Sequence, residues 1–395
     1  MAITDVTHES WLGRLGNSIK SVLVGIVLVA GAVGVLFWNE GRAVKRAKTI
    51  EEGARNVVSV GSAAVGAANE GKLVHTTGRA ETDETLKDTL FGVSAGAIKL
   101  RRKVEMYQWE ERKSTKSDKK LGGGTKKTTT YTYTEVWSER LIDSSTFKDS
   151  SKNNPPRMPF TSAEQTARHV TLGAFGLSKS LIGQMANYEK LPMTRALADA
   201  LSEDLKKNLL LHEGEFYRPY LRGEVGGTPR VGDVRVSFHV VRPGAVSVIA
   251  KQVGETFGPY LAETGQEICW LRVGTHTAEA MFQAERESNV LWTWILRGAG
   301  FVAMLIGFLL VLRPIAVVGD VVPLIGSLLG AGIFVVSLVL SLVVSLITVA
   351  MGWLYYRPLV GIGLLAAAAA VFLVVRQLAK GRKAAATPPP PPPPQ

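Results

Sequence analysis

Apolar residues gather in long blocks at the two ends of the chain, and a stretch of mixed and alternating pattern lies between them. Residues 19–38 carry one charge, Lys20, at the edge of the first block. About 20 apolar residues are enough for an α-helix to cross a hydrocarbon core of ~30 Å. Trp38 supplies an interfacial aromatic, and Asn39-Glu40-Gly41-Arg42 stops the run. The block outlasts the apolar core of a cleaved signal peptide and lacks a clear cleavage site, so it predicts an uncleaved anchor. Residues 291–313 predict a second span, with Trp292, Trp294 and Arg297 at its start and Arg313-Pro314 at its end. Residues 321–353 are too long for one upright helix. They predict either a tilted third span or a span preceded by a half-buried segment around Pro323. Residues 359–376 predict a fourth span, after the turn Tyr355-Tyr356-Arg357-Pro358. A basic polyproline tail, residues 377–395, follows it and has no core to join.

Residues 39–290 are numerous enough to build their own core. The second element there, residues 128–140, alternates strictly, with Tyr131, Tyr133, Glu135 and Trp137 on one face. With residues 99–111 it predicts an antiparallel hairpin around a polar loop containing Gly122-Gly123-Gly124. Residues 234–241 and 245–253 flank Arg242-Pro243-Gly244 and predict a second hairpin. Residues 72–80 predict another strand. Leu197, Leu201, Leu205 and Leu209 recur every four residues, predicting an amphipathic helix over residues 193–211. Thr277 is a candidate cap for a helix running towards the second span, which would couple the domain rigidly to the membrane if continuous. The fold class expected is a four-span α-helical membrane bundle carrying a large α+β domain rich in antiparallel hairpins.

Charge refines this picture in one place. Net charge is +12, and between Lys99 and Lys127 eleven basic residues face four acidic ones. Anionic lipid is the expected partner, since no nucleic-acid motif accompanies the charge. Candidate lipid and membrane-boundary contacts are Arg42, Lys45, Arg46, Arg101, Arg102, Trp292, Arg297, Trp353, Tyr356 and Arg357. A short membrane-surface helix after the first span would carry Arg42, Lys45, Arg46 and Lys48. The positive-inside count is seven against six and leaves orientation open. With four spans, residues 1–18 and the tail share one face, and the large domain lies on the other. The span interiors hold no ionisable residue, which weighs against a transporter or pump. Gly326 and Gly330 form a small-xxx-small pair and are candidates for helix packing.

Candidate chemistry is sparse. The single cysteine, Cys269, forbids an internal disulfide and reads as a buried thiol. Six histidines are scattered, and the sequence has no H-E-x-x-H, C-x-x-C or G-x-S-x-G. No metal, cofactor or catalytic residue is therefore expected. Gly122 to Lys127 (GGGTKK) lacks the phosphate-loop frame and reads as a mobile hairpin tip.

Five segments carry a resemblance: Asn39-Glu40-Gly41-Arg42-Ala43; residues 69–75 (NEGKLVH); residues 100–109 (LRRKVEMYQW); residues 231–238 (VGDVRVSF); and residues 352–359 (GWLYYRPL). Together, and in this order, they resemble the transmembrane protein 43 (LUMA) family. The resemblance implies four spans, cytoplasmic termini and a luminal domain. In animals it implies residence in the endoplasmic reticulum and inner nuclear membrane, with self-association and partners such as emerin and lamins. A bacterial relative would place the domain in the periplasm, with envelope proteins as partners. The family has no established catalytic residues to carry over.

The function expected is a non-enzymatic membrane scaffold that self-associates and presents its exoplasmic domain to lipid or envelope proteins. The alternative is a membrane enzyme or sensor acting on a lipid or small molecule, with His75, Arg101, Tyr107 and Trp109 as the residues to watch. A channel is the third reading.

Overall fold

The computed structural model describes residues 2–199, 201–219, 228–359 and 362–363. The chain divides into two compact units. The soluble unit comprises residues 1–10, 48–120 and 124–286; the helical unit comprises 11–47, 121–123 and 287–395.

Three helices are long and apolar enough to cross a membrane. Helix α1 runs Trp11–Asn56, α2 runs Ala278–Gly319 and α3 runs Pro323–Tyr356. Three spans rather than four are thus supported among the described residues; most of the expected fourth, residues 359–376, lies outside them. The long third block is one helix, started by Pro323, where a missing N–H costs nothing. Helix α2 continues past Arg313 and through Pro314. Residues 42–48 continue α1 instead of forming a separate surface helix. Thr277 caps α2 as expected, its hydroxyl accepting the Ala280 N–H at 3.2 Å, and the helix is unbroken through Asn289.

Within the helical unit, Ala32, Leu36 and Met304 form the buried apolar centre. Helices α1 and α2 meet backbone to backbone at two glycines. A Cβ on Gly25 would lie 2.6 Å from the Gly307 carbonyl, and one on Gly307 would lie 3.0 Å from the Gly25 carbonyl. Gly326 and Gly330 do not play this part. Gly326 instead accommodates Asp320 in the turn between α2 and α3, and among the described residues nothing lies within 4 Å of a Cβ on Gly330.

The soluble unit is built on two sheets. The strands needed are β1 (Ile3–Glu9), β2 (Leu73–Glu81), β3 (Lys99–Lys119), β4 (Thr125–Ser138), β5 (Glu215–Arg218), β6 (Val234–Val241), β7 (Gly244–Val253) and β8 (Trp270–Val273). The first sheet runs β1, β4, β3, β6, β5 and then Leu210–His212, with two short strands attached to β3 and β6. The second centres on β7, which pairs with β2, β8 and Thr256–Gly258. Strands β6 and β7 are almost wholly buried, and their near-continuous valines fill the core with Phe91, Phe175, Phe216 and Phe238. A smaller cluster gathers Ile50, Leu73, Ile249, Ile268, Met281 and Phe282.

The hairpin of β3 and β4 is present and longer than expected, with register Met106↔Ser138 to Lys119↔Thr125. The second expected hairpin is not. Strand β6 pairs with β3, and β7 pairs with β2, so Arg242-Pro243-Gly244 carries the chain from one sheet to the other. The expected helix over residues 193–211 is replaced by Arg195–Asp199, Glu203–Lys206 and the strand Leu210–His212. Its leucines still face inward, because short turns around Ser202 keep Leu201, Leu205 and Leu209 in the core. Strand β1, paired along β4, has no counterpart in the sequence reading.

Candidate functional site: a polar clasp joining three helices

In the helical unit, charged and polar side chains gather around Glu40. It sits two residues past Trp38 on α1, and its side chain is 3% exposed. A carboxylate so buried needs partners. On α2, Asn289, Thr293 and Arg297 recur every four residues and so share one face. Arg297 donates from Nε to Oε1 at 2.7 Å and from Nη2 to Oε2 at 2.8 Å. Trp353 of α3 donates its indole N–H to Oε2 at 2.8 Å. The Arg297 guanidinium also lies 4.9 Å from the Trp294 ring centre and 5.8 Å from that of Trp353.

Neighbouring positions make this approach possible. A Cβ on Gly352 would stand 2.9 Å from both Cβ and Cγ of Glu40. One on Gly41 would stand 2.5 Å from the Tyr356 ring. Phe37 packs on Tyr355 and Tyr356, with ring centres 5.8 and 5.4 Å apart. One turn away, Asn39 donates to the Thr293 carbonyl at 3.1 Å. Arg42 donates to Asn39, Asn289 and Thr293 at 3.1–3.3 Å. The charges and amide groups here are occupied by one another, so the arrangement holds helices together and does not present a reactive group.

A second polar contact marks the other end of the apolar length of α1. Arg14 pairs with Asp320 at 2.5 Å, and Asp320 is 2% exposed. Trp11 donates to the Val317 carbonyl at 2.9 Å, and Arg14 donates to the Gly123 carbonyl at 2.5 Å. Gly122 and Gly123 have φ of 84° and 77°, the region that favours glycine. A Cβ on Gly123 would also meet the Trp11 ring at 2.4 Å. The Gly-rich turn is therefore a seat for Trp11 and Arg14. From Arg14 to Glu40 the helix rises about 39 Å, so the two charged contacts bracket a bilayer-sized length of α1.

The boundary candidates divide accordingly. Arg42, Arg297, Trp353 and Tyr356 are brought together, and their partners are protein groups. Trp292 and Lys45 are exposed, and Arg46 is half-buried. Arg357 ends α3, donating its N–H to the Trp353 carbonyl at 2.8 Å. Arg101 and Arg102 belong to the soluble unit. Arg101 is half-exposed and 3.5 Å from Glu139. Arg102 lies inside, 8% exposed, with both Asp88 carboxylate oxygens at 2.6–2.8 Å and the Thr161 carbonyl at 2.9 Å. Strand alternation turns Arg102 to the core and Arg101 away from it. Glu40, Gly41 and Gly352 entered the sequence reading only within the boundary segments that carry the family resemblance, with no role of their own, and Asp320 and the Gly25–Gly307 contact were not singled out. Their signal was there only as charges and glycines abutting apolar blocks.

In the soluble unit, His75, Arg101, Tyr107 and Trp109 do not converge. The last three are on β3 and His75 is on β2 in the other sheet. Tyr107 packs at a tilt against Trp137, and Lys152 covers the Trp109 ring at 3.8 Å. His75 borders an open cleft of about 430 Å³ with Ser59, Thr77, His276, Thr277 and Glu279. Its Nε2 contacts the His276 carbonyl at 2.9 Å, and its Nδ1 lies 3.4 Å from Ser59 Oγ. Burial holds His75 below its ordinary pKa, with the His276 carbonyl opposing. Burial likewise lowers His239, helped by Lys103 and Arg101. Burial raises the half-buried Cys269 thiol. Among the described residues, no three His, Cys, Asp or Glu side chains are placed to hold a metal.

Residues 106–358 match the family model described as Transmembrane protein 43. Transmembrane protein 43 of Mus musculus is 35% identical over 369 residues, covering 90% of each chain. The Homo sapiens protein of that name is 34% identical over 365 residues, covering 89% of this chain and 88% of its own. The Drosophila melanogaster homolog is 29% identical over 370 residues, covering 90% of this chain and 95% of its own. No solved structure matches. The chain joins three membrane-length helices to a large β-rich domain, matches the family model over more than half its length and aligns with these relatives almost end to end; it belongs to the transmembrane protein 43 family.

Proposed function

We propose that this family member is a non-enzymatic membrane scaffold that self-associates and presents its β-rich domain on the exoplasmic side to lipid or envelope proteins. The observation that carries the reading is the occupancy of the clasp. Glu40, Arg297, Trp353, Asn39, Arg42, Asn289 and Thr293 spend their polar groups on tying three helices together. The soluble unit adds a core packed with side chains. Native mass spectrometry of the full chain from mild detergent tests the reading. Oligomers, or retained lipid or protein partners, are expected. A monomer free of both overturns it. Impermeant labelling of Leu121→Cys, at a position 86% exposed in the same turn, in a Cys269→Ser background, in intact and lysed cells, reports the accessible face of the turn.

The His75 cleft favours a second reading, a sensor or enzyme for a small molecule. It requires a metabolite or lipid that raises the unfolding temperature of the wild type but not of His75→Ala.

A further inference from the structure

The soluble unit carries a groove of about 540 Å³, within the ~300–1,000 Å³ typical of small-molecule sites. Met106 of β3, Met158 and four prolines form most of its wall. Among the described residues, the charged side chains that line it are Arg157 and Arg218, and no carboxylate does. Among the described residues neither arginine has an ion pair. Arg101, Arg102 and Arg235, on strands of the same sheet, differ in this respect, since each meets a carboxylate of its own chain.

Each arginine stands on a fixed support. Arg157 lies in Pro155-Pro156-Arg157-Met158-Pro159, where the prolines lock φ at about −65°. That segment is tied down at both ends. Before it, Asn154 exchanges hydrogen bonds with the Trp109 backbone at 2.7 and 2.9 Å. After it, the Phe160 ring meets Phe91 of the core edge-on, with centres 5.2 Å apart, and Ser162 Oγ accepts the Val104 N–H at 3.0 Å. Arg218 ends β5, opposite Val234 of β6. Its guanidinium lies 5.8 Å from the Phe160 ring centre. Phe160 thus closes the proline segment and steadies the second arginine. Little freedom is left for a ligand to remove, which lowers the entropic cost of binding.

The lining decides what such a groove selects. Proline has no N–H to donate, so the two guanidiniums supply the charged donors, and the rest of the wall is apolar. The two oxygens of a carboxylate are used up by one guanidinium fork. A phosphate group offers oxygens for two forks and a charge of about −2 to balance both arginines. The methionine and proline wall adds a place for an apolar substituent.

We propose that this groove binds a phosphate ester with an apolar substituent, Arg157 and Arg218 holding the phosphate and the apolar wall taking the substituent. A phospholipid headgroup and a soluble alkyl phosphate share this chemistry. The site goes beyond self-association and does not depend on it. Thermophoresis of the full chain in mild detergent tests it, with dioctanoyl phosphatidic acid, hexyl phosphate, hexanoate and inorganic phosphate as probes. Saturable binding of phosphatidic acid is expected, weakened about tenfold by Arg157→Gln and by Arg218→Gln. Arg168→Gln, at an exposed position outside the groove, is expected to leave it unchanged. Hexyl phosphate binding with the same arginine dependence shows that a soluble ester suffices, and phosphatidic acid binding alone with that dependence makes a lipid headgroup the source. Arg157 is exposed, so Arg157→Gln is expected to keep the wild-type unfolding midpoint, which separates a lost contact from a lost fold. The proposal is overturned by absence of saturable binding, by an equal loss in Arg168→Gln, or by hexanoate or inorganic phosphate binding as tightly as hexyl phosphate. None of these results bears on the oligomeric state, which native mass spectrometry reads separately.

Discussion

Arg297 grips both oxygens of the Glu40 carboxylate, at 2.7 and 2.8 Å, inside the helical unit. Two segments far apart in sequence, residues 39–43 and 352–358, meet at this contact, because Trp353 donates to the same carboxylate and Tyr356 lies over Gly41. A buried ion pair need not be the most stable filling of its space, but half of one is costly.

Glu40→Ala leaves Arg297, whose side chain is 18% exposed, without its counter-charge and is expected to cost about 3–5 kcal/mol. Arg297→Ala should cost a similar amount. The double change Glu40→Leu/Arg297→Met removes both charges and should cost clearly less than the two single changes together. Unfolding midpoints in one detergent decide this. Additive losses would mean that the two side chains act independently.

Gly41 and Gly352 owe their identity to close approach. Gly41→Ala and Gly352→Ala push a methyl into Tyr356 and Glu40 respectively, at an expected cost of about 1–3 kcal/mol each. Gly330→Ala is the contrast. Among the described residues nothing lies within 4 Å of its added Cβ, so better helix propensity should leave stability unchanged or raise it by up to about 1 kcal/mol. Thermal denaturation of the three variants, side by side, tests the order.

The extent to which the sequence foretold this follows from the range of each signal. Residues 19–38 and 291–313 announced themselves, because crossing a bilayer is a demand on local composition. Strand β4 was legible for the same reason, since Tyr131, Tyr133 and Trp137 alternate within one strand. Arg242-Pro243-Gly244 misled because a turn signal is local while pairing is not. Val234–Val241 found its partner in β3, more than a hundred residues away. At the clasp the residue types were visible: Arg297, Trp353 and Tyr356 were read as headgroup contacts. Their inward rotation onto Glu40 depends on which helix faces face each other, which no single segment encodes.

Acidification should weaken the soluble unit through two histidines. Burial keeps folded His75 and His239 below the ordinary value of 6.5. As pH falls through 6.5 the unfolded chain takes up protons before the folded one does. Their contribution is thus complete above 6.5 and is lost on the way down to the folded values. The unfolding midpoint is expected to drop between pH 7.5 and 5, and the double change His75→Gln/His239→Gln should flatten that drop. A wild-type midpoint independent of pH over this range would contradict the assignment.

Arg102 tests whether the basic run on β3 serves lipid or structure. Asp88 accepts from Arg102 and also from the backbone N–H groups of Leu90 and Phe91, at 3.2 and 2.8 Å, while the guanidinium lies 5.3 Å from the Phe91 ring centre. Removing Asp88 therefore strands a buried cation and opens the turn beside it. Asp88→Ala should cost about 3–5 kcal/mol. Asp88→Asn keeps an acceptor for the turn and should fall between it and wild type. Arg102→Met retains the apolar stem and should cost less than Asp88→Ala, because it leaves a carboxylate that its two backbone donors still serve. Binding to vesicles of anionic lipid provides the second readout. Arg102→Met should leave it unchanged once the protein is folded, whereas Arg101→Ala, at the half-exposed neighbouring position, is where any headgroup contact by this stretch would show. A loss of vesicle binding confined to Arg102→Met, with stability intact, would reverse the assignment.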